Sequence, residues 1–167
     1  RVTDAAVATG LRGAHWPGRF EVMARDPLIV LDGAHNPGAC RALADTLAEY
    51  EYDDLHLVFG AMHDKDHRGM AAALPGPGSV WAWAPAHERA ADPAVLAAAF
   101  EAAGTDDVAT APTVAAALEH ARAAADPDDC VLVVGSLFAV AEARRTWSRL
   151  AVTRLVADVD DAAGVLE

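Results

Sequence analysis

Residues 30–39, VLDGAHNPGA, lead from the end of an apolar run, Leu28–Asp32, into a segment, Gly38–Tyr50, whose apolar positions Ala39, Leu43, Leu47 and Tyr50 recur at helical spacing. A buried strand therefore gives way to an amphipathic helix across one short loop. That loop carries Asp32, His35 and Asn36. Asn36-Pro37 has a local explanation, since Asn is a good helix N-cap and Pro is preorganised for the first helical position. The explanation does not extend to Asp32 and His35, whose side chains are predicted to project toward whatever occupies the crevice beyond the strand.

The alternation continues in both directions. Phe20–Arg25 reads as a strand before the turn signal Asp26-Pro27, and Leu55–Gly60 as a strand that stops at a polar loop with Asp64, Lys65 and Asp66, followed by a short helix to Leu74. Pro75-Gly76-Pro77-Gly78 breaks the chain before a strand at Ser79–Ala84. A helix follows over Pro93–Ala103, bounded by Asp92 and Gly104, and Val108–Thr110 reads as a short edge strand. A helix over Pro112–Ala125 presents Val114, Leu118 and Ala121 on one face. Cys130–Val134 is a fully apolar strand, and Gly135-Ser136 opens a last helix to about Leu150. Strands apolar on both faces, alternating with helices, call for an α/β fold of three layers, a mostly parallel sheet flanked by helices. Ligands in such sheets sit beyond the carboxyl ends of the strands, here the loops after Asp32, Gly60, Ala84 and Gly135.

A chain of 167 residues, 53% apolar, suits one domain with a sizeable core. Its longest strongly apolar stretch, Cys130–Ala141, is interrupted by Gly135 and Ser136 and falls well short of the roughly 20 residues that span a bilayer. Cys40 and Cys130 show no CxxC spacing, so neither a disulfide framework nor a zinc ribbon is indicated, and a cytoplasmic location with no membrane partner is expected. A net charge of −12 repels polyanions and argues against nucleic acid. Lys65 is the sole lysine beside many arginines and acids, a composition that fits either solubility in concentrated salt or a GC-rich genome. Arg1 in place of a methionine predicts a piece cut from a longer protein, and residues 151–167, weakly periodic and acidic, read as a tail or linker.

Several residues have both a structural and a functional reading. Arg19, after the Pro17-Gly18 turn, is either a surface arginine or a guanidinium placed to reach a phosphate with its fork geometry. His63, Asp64, Asp66 and His67 all have ligand chemistry, with His63 and His67 on one face if that segment is helical, but a solvated loop with a helix cap accounts for them and no protein metal site is assigned. Ser136 is either an N-cap or part of an anion-binding helix N-terminus. No GxxxxGK[ST] phosphate loop, GxGxxG turn or GxSxG elbow is present.

Taken in order, WPGRFEV at 16–22, VLDGAHNP at 30–37, FGAMHDKD at 59–66 and VVGSLFAVAEAR at 133–144 resemble the carboxyl-terminal domain of folylpolyglutamate synthase/dihydrofolate synthase, within the Mur ligase superfamily. The resemblance covers roughly residues 11–150, with residues 1–10 similar to the exit from a preceding ATPase domain. It implies a Rossmann-like three-layer sheet and an ATP-dependent ligase that converts a carboxylate of dihydropteroate or a folate to an acyl phosphate, which the amine of L-glutamate then attacks. It implies ATP and Mg2+ as cofactors, held mainly by an amino-terminal ATPase domain that lies outside these residues. Arg19 corresponds to the arginine that reaches the ATP phosphates, Asp32 to an acid that contacts the nucleotide, and Asn36 shapes that loop. His35 and Ser136 correspond to positions near the incoming glutamate, while Asp64, Lys65 and Asp66 match a characteristic loop of less definite role. Two other readings compete: a Mur-type ligase acting on a peptidoglycan precursor, and a non-catalytic nucleotide-binding module.

Overall fold

A computed structural model of the chain describes residues 2–14 and 16–149. The elements in order are α1 (Asp4–Arg12), β1 (Glu21–Arg25), β2 (Leu28–Leu31), α2 (Pro37–Leu47), β3 (Leu55–Phe59), α3 (His67–Ala73), β4 (Ser79–Ala82), α4 (Pro93–Glu101), β5 (Asp107–Thr110), α5 (Val114–Ala124) and β6 (Cys130–Val134). A last helix, α6, begins at residue 137 and continues through residue 149. The acidic tail at 151–167 lies outside the described residues.

The six strands form one sheet in the order β1-β2-β6-β3-β4-β5. All neighbours pair in parallel except β1, which runs antiparallel to β2 across the Asp26-Pro27 turn. The inner strands β2, β3 and β6 are buried at every position, so their side chains alternate between two cores. Leu28 and Val30, Leu57 and Phe59, and Leu132 and Val134 face one side. There Cys40, Leu43 and Leu47 of α2, Met70 of α3, and Leu96 and Phe100 of α4 cover them. Ile29, Leu31, Val58, Val131 and Val133 face the other side against Val114 and Leu118 of α5 and Val140 and Ala143 of α6. Leu47, Leu57, Leu96 and Leu132 are completely buried, each worth about 1.5–3 kcal/mol relative to an exposed side chain. The three-layer α/β architecture expected from the strand and helix periodicities is the one observed.

Capping sets the helix boundaries. Asn36, Asp66, Asp92 and Thr113 each accept an amide of the first turn. Thr113 is the reason α5 starts at Val114 rather than Pro112. Asp4–Arg12, which overlaps the stretch 1–10 likened to the exit from a preceding domain, is a helix capped by Thr3.

At the amino-terminal ends of the strands lies a buried polar cluster. His56 Nδ1 lies 2.7 Å from Ser79 Oγ and His56 Nε2 lies 3.2 Å from Asp129 Oδ2. Asp129 also accepts the amides of Asp54 and Asp126, tying the β3 and β6 entries together. These three residues are closed from solvent and sit at the rim opposite the candidate site.

Candidate functional site

The parallel register aligns Leu31 with Val133, Val134 with Phe59 and Phe59 with Ala82, so β2, β6, β3 and β4 all end at one rim. Because β1 is reversed, its first residue, Glu21, pairs with Leu31 and the turn carrying Arg19 arrives at that same rim. The loops after these four strands and the turn before β1 therefore meet there.

Backbone contacts stitch these loops together. Gly33 N donates to Gly18 O at 2.8 Å, Gly135 N to Ala34 O at 3.1 Å, and Gly60 N to Val134 O at 3.1 Å. Gly135 has φ +120°, and a Cβ built on it would lie 2.5 Å from the Gly60 carbonyl oxygen, so a side chain is excluded by both conformation and space.

Asp32 is turned inward rather than toward the crevice. Its Oδ2 accepts the Phe20 amide at 2.7 Å and its Oδ1 accepts the Ala34 amide at 2.7 Å. This corrects the expectation that its side chain projects outward: two backbone N–H groups that lack other partners draw the carboxylate back onto the loops. The residue still lines the cleft, at 9% exposure.

His35 is half-buried, and its Nδ1 lies 2.8 Å from the Gly33 carbonyl. A carbonyl only accepts, so Nδ1 carries the hydrogen, and the neutral tautomer with that hydrogen leaves Nε2 as an acceptor. Arg19 is exposed and lies across Gly33, where a built Cβ would come within 2.5 Å of its Nη1 and would also collide with Leu137 Cδ2. Arg19, Phe20, Asp32, His35, Ala39 and Leu43 line an open cleft of about 320 Å³. Among the described residues lining it, the Arg19 guanidinium suits an anionic group approaching from the rim and the His35 acceptor suits an N–H donor.

Asn36 and Ser136 both act as caps. Asn36 Oδ1 accepts the Ala39 amide at 2.9 Å, ahead of Pro37. Ser136, nearly closed from solvent, accepts the Ala139 amide at 2.9 Å through Oγ, which leaves its hydroxyl hydrogen to donate. Leu137 and Phe138 beyond it are exposed, an apolar lip beside the cleft.

The polar loop after β3 faces elsewhere. Asp64 pairs with Lys65 Nζ at 3.0 Å, and this hydrogen bond, with smaller help from Arg89, holds the Asp64 carboxyl below its ordinary value. Asp66 caps α3 by accepting the Gly69 amide at 2.9 Å. Lys65 and Asp66, with Arg68, Asp92 and Val95, line a second open cleft of about 480 Å³ between α3 and α4. This space is larger, but it is a groove between helix surfaces, whereas the smaller one gathers the rim residues. His67 is buried with Nε2 donating to Met62 O at 2.9 Å, and His63 lies in the turn before α3, so the two do not share a helix face. Among the described residues no group of three or more His, Cys, Asp or Glu is placed to hold a metal. Nor does any described helix have the length and apolarity to cross a membrane.

Two residues with a clear part in the rim were not singled out from the sequence. Glu21 is buried at the start of β1, and Arg144 of α6 donates Nε to its Oε1 at 2.9 Å. The only local signal was an acid placed directly after WPGRF.

Comparison with known proteins follows the same outline. Residues 18–137 match the family model described as Mur ligase, glutamate ligase domain. A probable bifunctional folylpolyglutamate synthase/dihydropteroate synthase of Halobacterium salinarum is 60% identical over 99% of this chain, which spans 20% of that relative's length. Among solved structures, a Mycobacterium tuberculosis folylpolyglutamate synthase complexed with ADP and AMPPCP superimposes with TM-score 0.77 at 35% identity, covering 88% of this chain and 35% of that one. A Yersinia pestis bifunctional folylpolyglutamate synthase/dihydrofolate synthase complexed with AMPPNP and Mn gives 0.75 at 31%, covering 90% and 35%.

Proposed function

This chain belongs to the Mur ligase glutamate ligase domain family, and on that footing we propose that it is the glutamate-receiving half of an ATP-dependent ligase acting on dihydropteroate or a folate. The observation that carries the reading is the arrival of Arg19, His35 and Ser136 at one rim, where Arg19 and His35 line an open cleft and Ser136 caps the helix that follows β6. The names of the folate-ligase relatives favour this substrate class over a peptidoglycan precursor. The haloarchaeal source of the 60% identical relative and the acidic, lysine-poor composition favour a protein working in concentrated salt.

A carboxylate is a poor electrophile. Transfer of the terminal phosphoryl group of ATP to it gives an acyl phosphate and ADP; the glutamate amine then attacks the acyl carbon, phosphate leaves, and the amine loses a proton to become the amide nitrogen. Charge grows on the phosphate oxygens in the first step, and a guanidinium such as Arg19, brought across the rim, offsets it. The Nε2 acceptor of His35 can receive a hydrogen bond from the incoming ammonium or amine, and Ser136 can donate to a glutamate carboxylate. Mg2+, the divalent ion expected with ATP, supplies charge neutralisation when bound. It is assigned mainly to the ATPase domain that the resemblance implies.

Residues 11–150 are proposed as the catalytic-partner domain, with 1–10 leading from the ATPase domain and 151–167 leading outward. Water must be kept from the acyl phosphate, which an open rim cannot do alone. The test is an ATP-dependent glutamate ligation assay on the full-length enzyme and on this chain by itself. Product is expected only from the full-length enzyme, with His35→Ala and Arg19→Ala lowering its rate. Turnover by the isolated chain, or wild-type rates in both variants, would refute the reading.

A further inference from the structure

The turn that carries Arg19 is held from both sides by carboxylates. Phe20 N donates to Asp32 Oδ2 at 2.7 Å, and Gly18 N donates to Glu21 Oε2 at 2.9 Å. The backbone between them is strained: Gly18 has φ 74° and Phe20 has φ 41°, the latter a left-handed conformation at a non-glycine residue. Such a conformation persists only where its surroundings over-determine it. Glu21 supplies part of that determination from a buried position, with 7% of its side chain exposed. Its charge is met by Arg144 on α6, whose Nε lies 2.9 Å from Oε1 and 3.2 Å from Oε2.

We propose that Glu21, braced by Arg144, is a positioning residue that fixes the direction of Arg19. The inference rests on the reading of Arg19 as the phosphate-facing group. Both groups that approach Glu21, the Gly18 N–H and the Arg144 Nε–H, are donors and demand acceptors. A carboxylate presents acceptors on both oxygens, whereas a glutamine amide would turn a donor toward one of them. Releasing Gly18 lets the turn relax from its paired left-handed residues. Arg19 then spreads over several directions, few of which meet a phosphate.

The test is a double-mutant cycle in the full-length enzyme, reading kcat/KM for ATP in glutamate ligation with thermal midpoint as the structural control. Glu21→Gln alone is expected to lower kcat/KM about tenfold, and to lower it by less than about twofold when Arg19→Ala is already present. Arg144→Ala, made at a half-exposed site on α6, is expected to repeat the pattern and supplies the cycle if the Glu21 variant fails to fold. Equal losses in the presence and absence of Arg19 would overturn the proposal, since a residue that merely supports the fold gives additive effects. If Arg19→Ala by itself leaves kcat/KM unchanged, the reading of Arg19 falls and takes the positioning role with it, a result distinct from additivity.

Discussion

Asp32 Oδ2 and the Phe20 amide meet at 2.7 Å, joining the loop after β2 to the turn before β1 across the mouth of the cleft. The contact makes Asp32 a clamp between two loops as well as a lining residue. Asp32→Ala leaves the amides of Phe20 and Ala34 without acceptors and is expected to cost about 1–3 kcal/mol, read from urea unfolding of the domain. An unchanged midpoint would show that water replaces the carboxylate without loss.

Gly33 separates space from stability. In Gly33→Ala the new methyl meets Arg19 Nη1 and Leu137 Cδ2, both far ends of flexible side chains. The thermal midpoint is expected to move little, while the full-length enzyme's KM for ATP rises as Arg19 is pushed aside. A large fall in midpoint with normal kinetics would contradict this account.

Gly135 should behave in the opposite way. Its φ of +120° and the Gly60 carbonyl behind it leave no room that a side-chain rotation can provide. Gly135→Ala is expected to destabilise the domain by at least about 2 kcal/mol, measured by denaturant unfolding. Activity at low temperature, where the variant is still folded, tests whether the rim retains its shape.

At the opposite rim, Asp129 predicts the acid limb of the stability curve. Burial alone would raise its carboxyl, but the amides of Asp126 and Asp54 together with His56 lower it by more, so the folded value lies below the ordinary 3.8. A folded value below the unfolded one gives stability that is complete above about pH 3.8 and is lost as pH falls through the folded value. Asp129→Asn is expected to flatten this limb, as monitored by circular dichroism against pH. The same slope in wild type and variant would exclude Asp129 as its source.

The thiols set the alkaline limb. Burial, with Asp32 adding a smaller effect, pushes Cys40 up to about 11, and burial with Asp129 pushes Cys130 up to about 12. Both folded values exceed the ordinary 9.0, so the unfolded chain loses these protons first and stability declines as pH rises from about 9. Alkylation of native protein at pH 8 should therefore be slow and should speed up sharply in denaturant. Rapid native alkylation would show that one thiol is reached without unfolding.

What could be read from the sequence was what local rules govern. Asn36-Pro37, Asp92-Pro93 and the fully apolar run Cys130–Val134 announce caps and a central strand through neighbours a few residues apart. Arg19, His35 and Ser136 were legible as candidates because each sits at a strand-helix or turn boundary. The Glu21–Arg144 pair was not, since its partners are separated by 123 residues and neither has a local signature. The inward turn of Asp32 escaped for a related reason: its acceptor role depends on the Phe20 amide, which only the reversed direction of β1 brings near. The cluster of His56, Ser79 and Asp129 likewise depends on strand order.

The far margin of the sheet is β5, four residues long and, among the described residues, bonded to β4 alone. Its outer peptide groups are open to pairing with another chain, the geometry from which filaments grow. The exposed neighbours Asp106 and Asp107 repel a similar strand in dilute solution, but salt screens that repulsion within a few ångströms. At high salt the brevity of β5 remains as the guard, since a ladder of four residues offers few bonds to a second molecule.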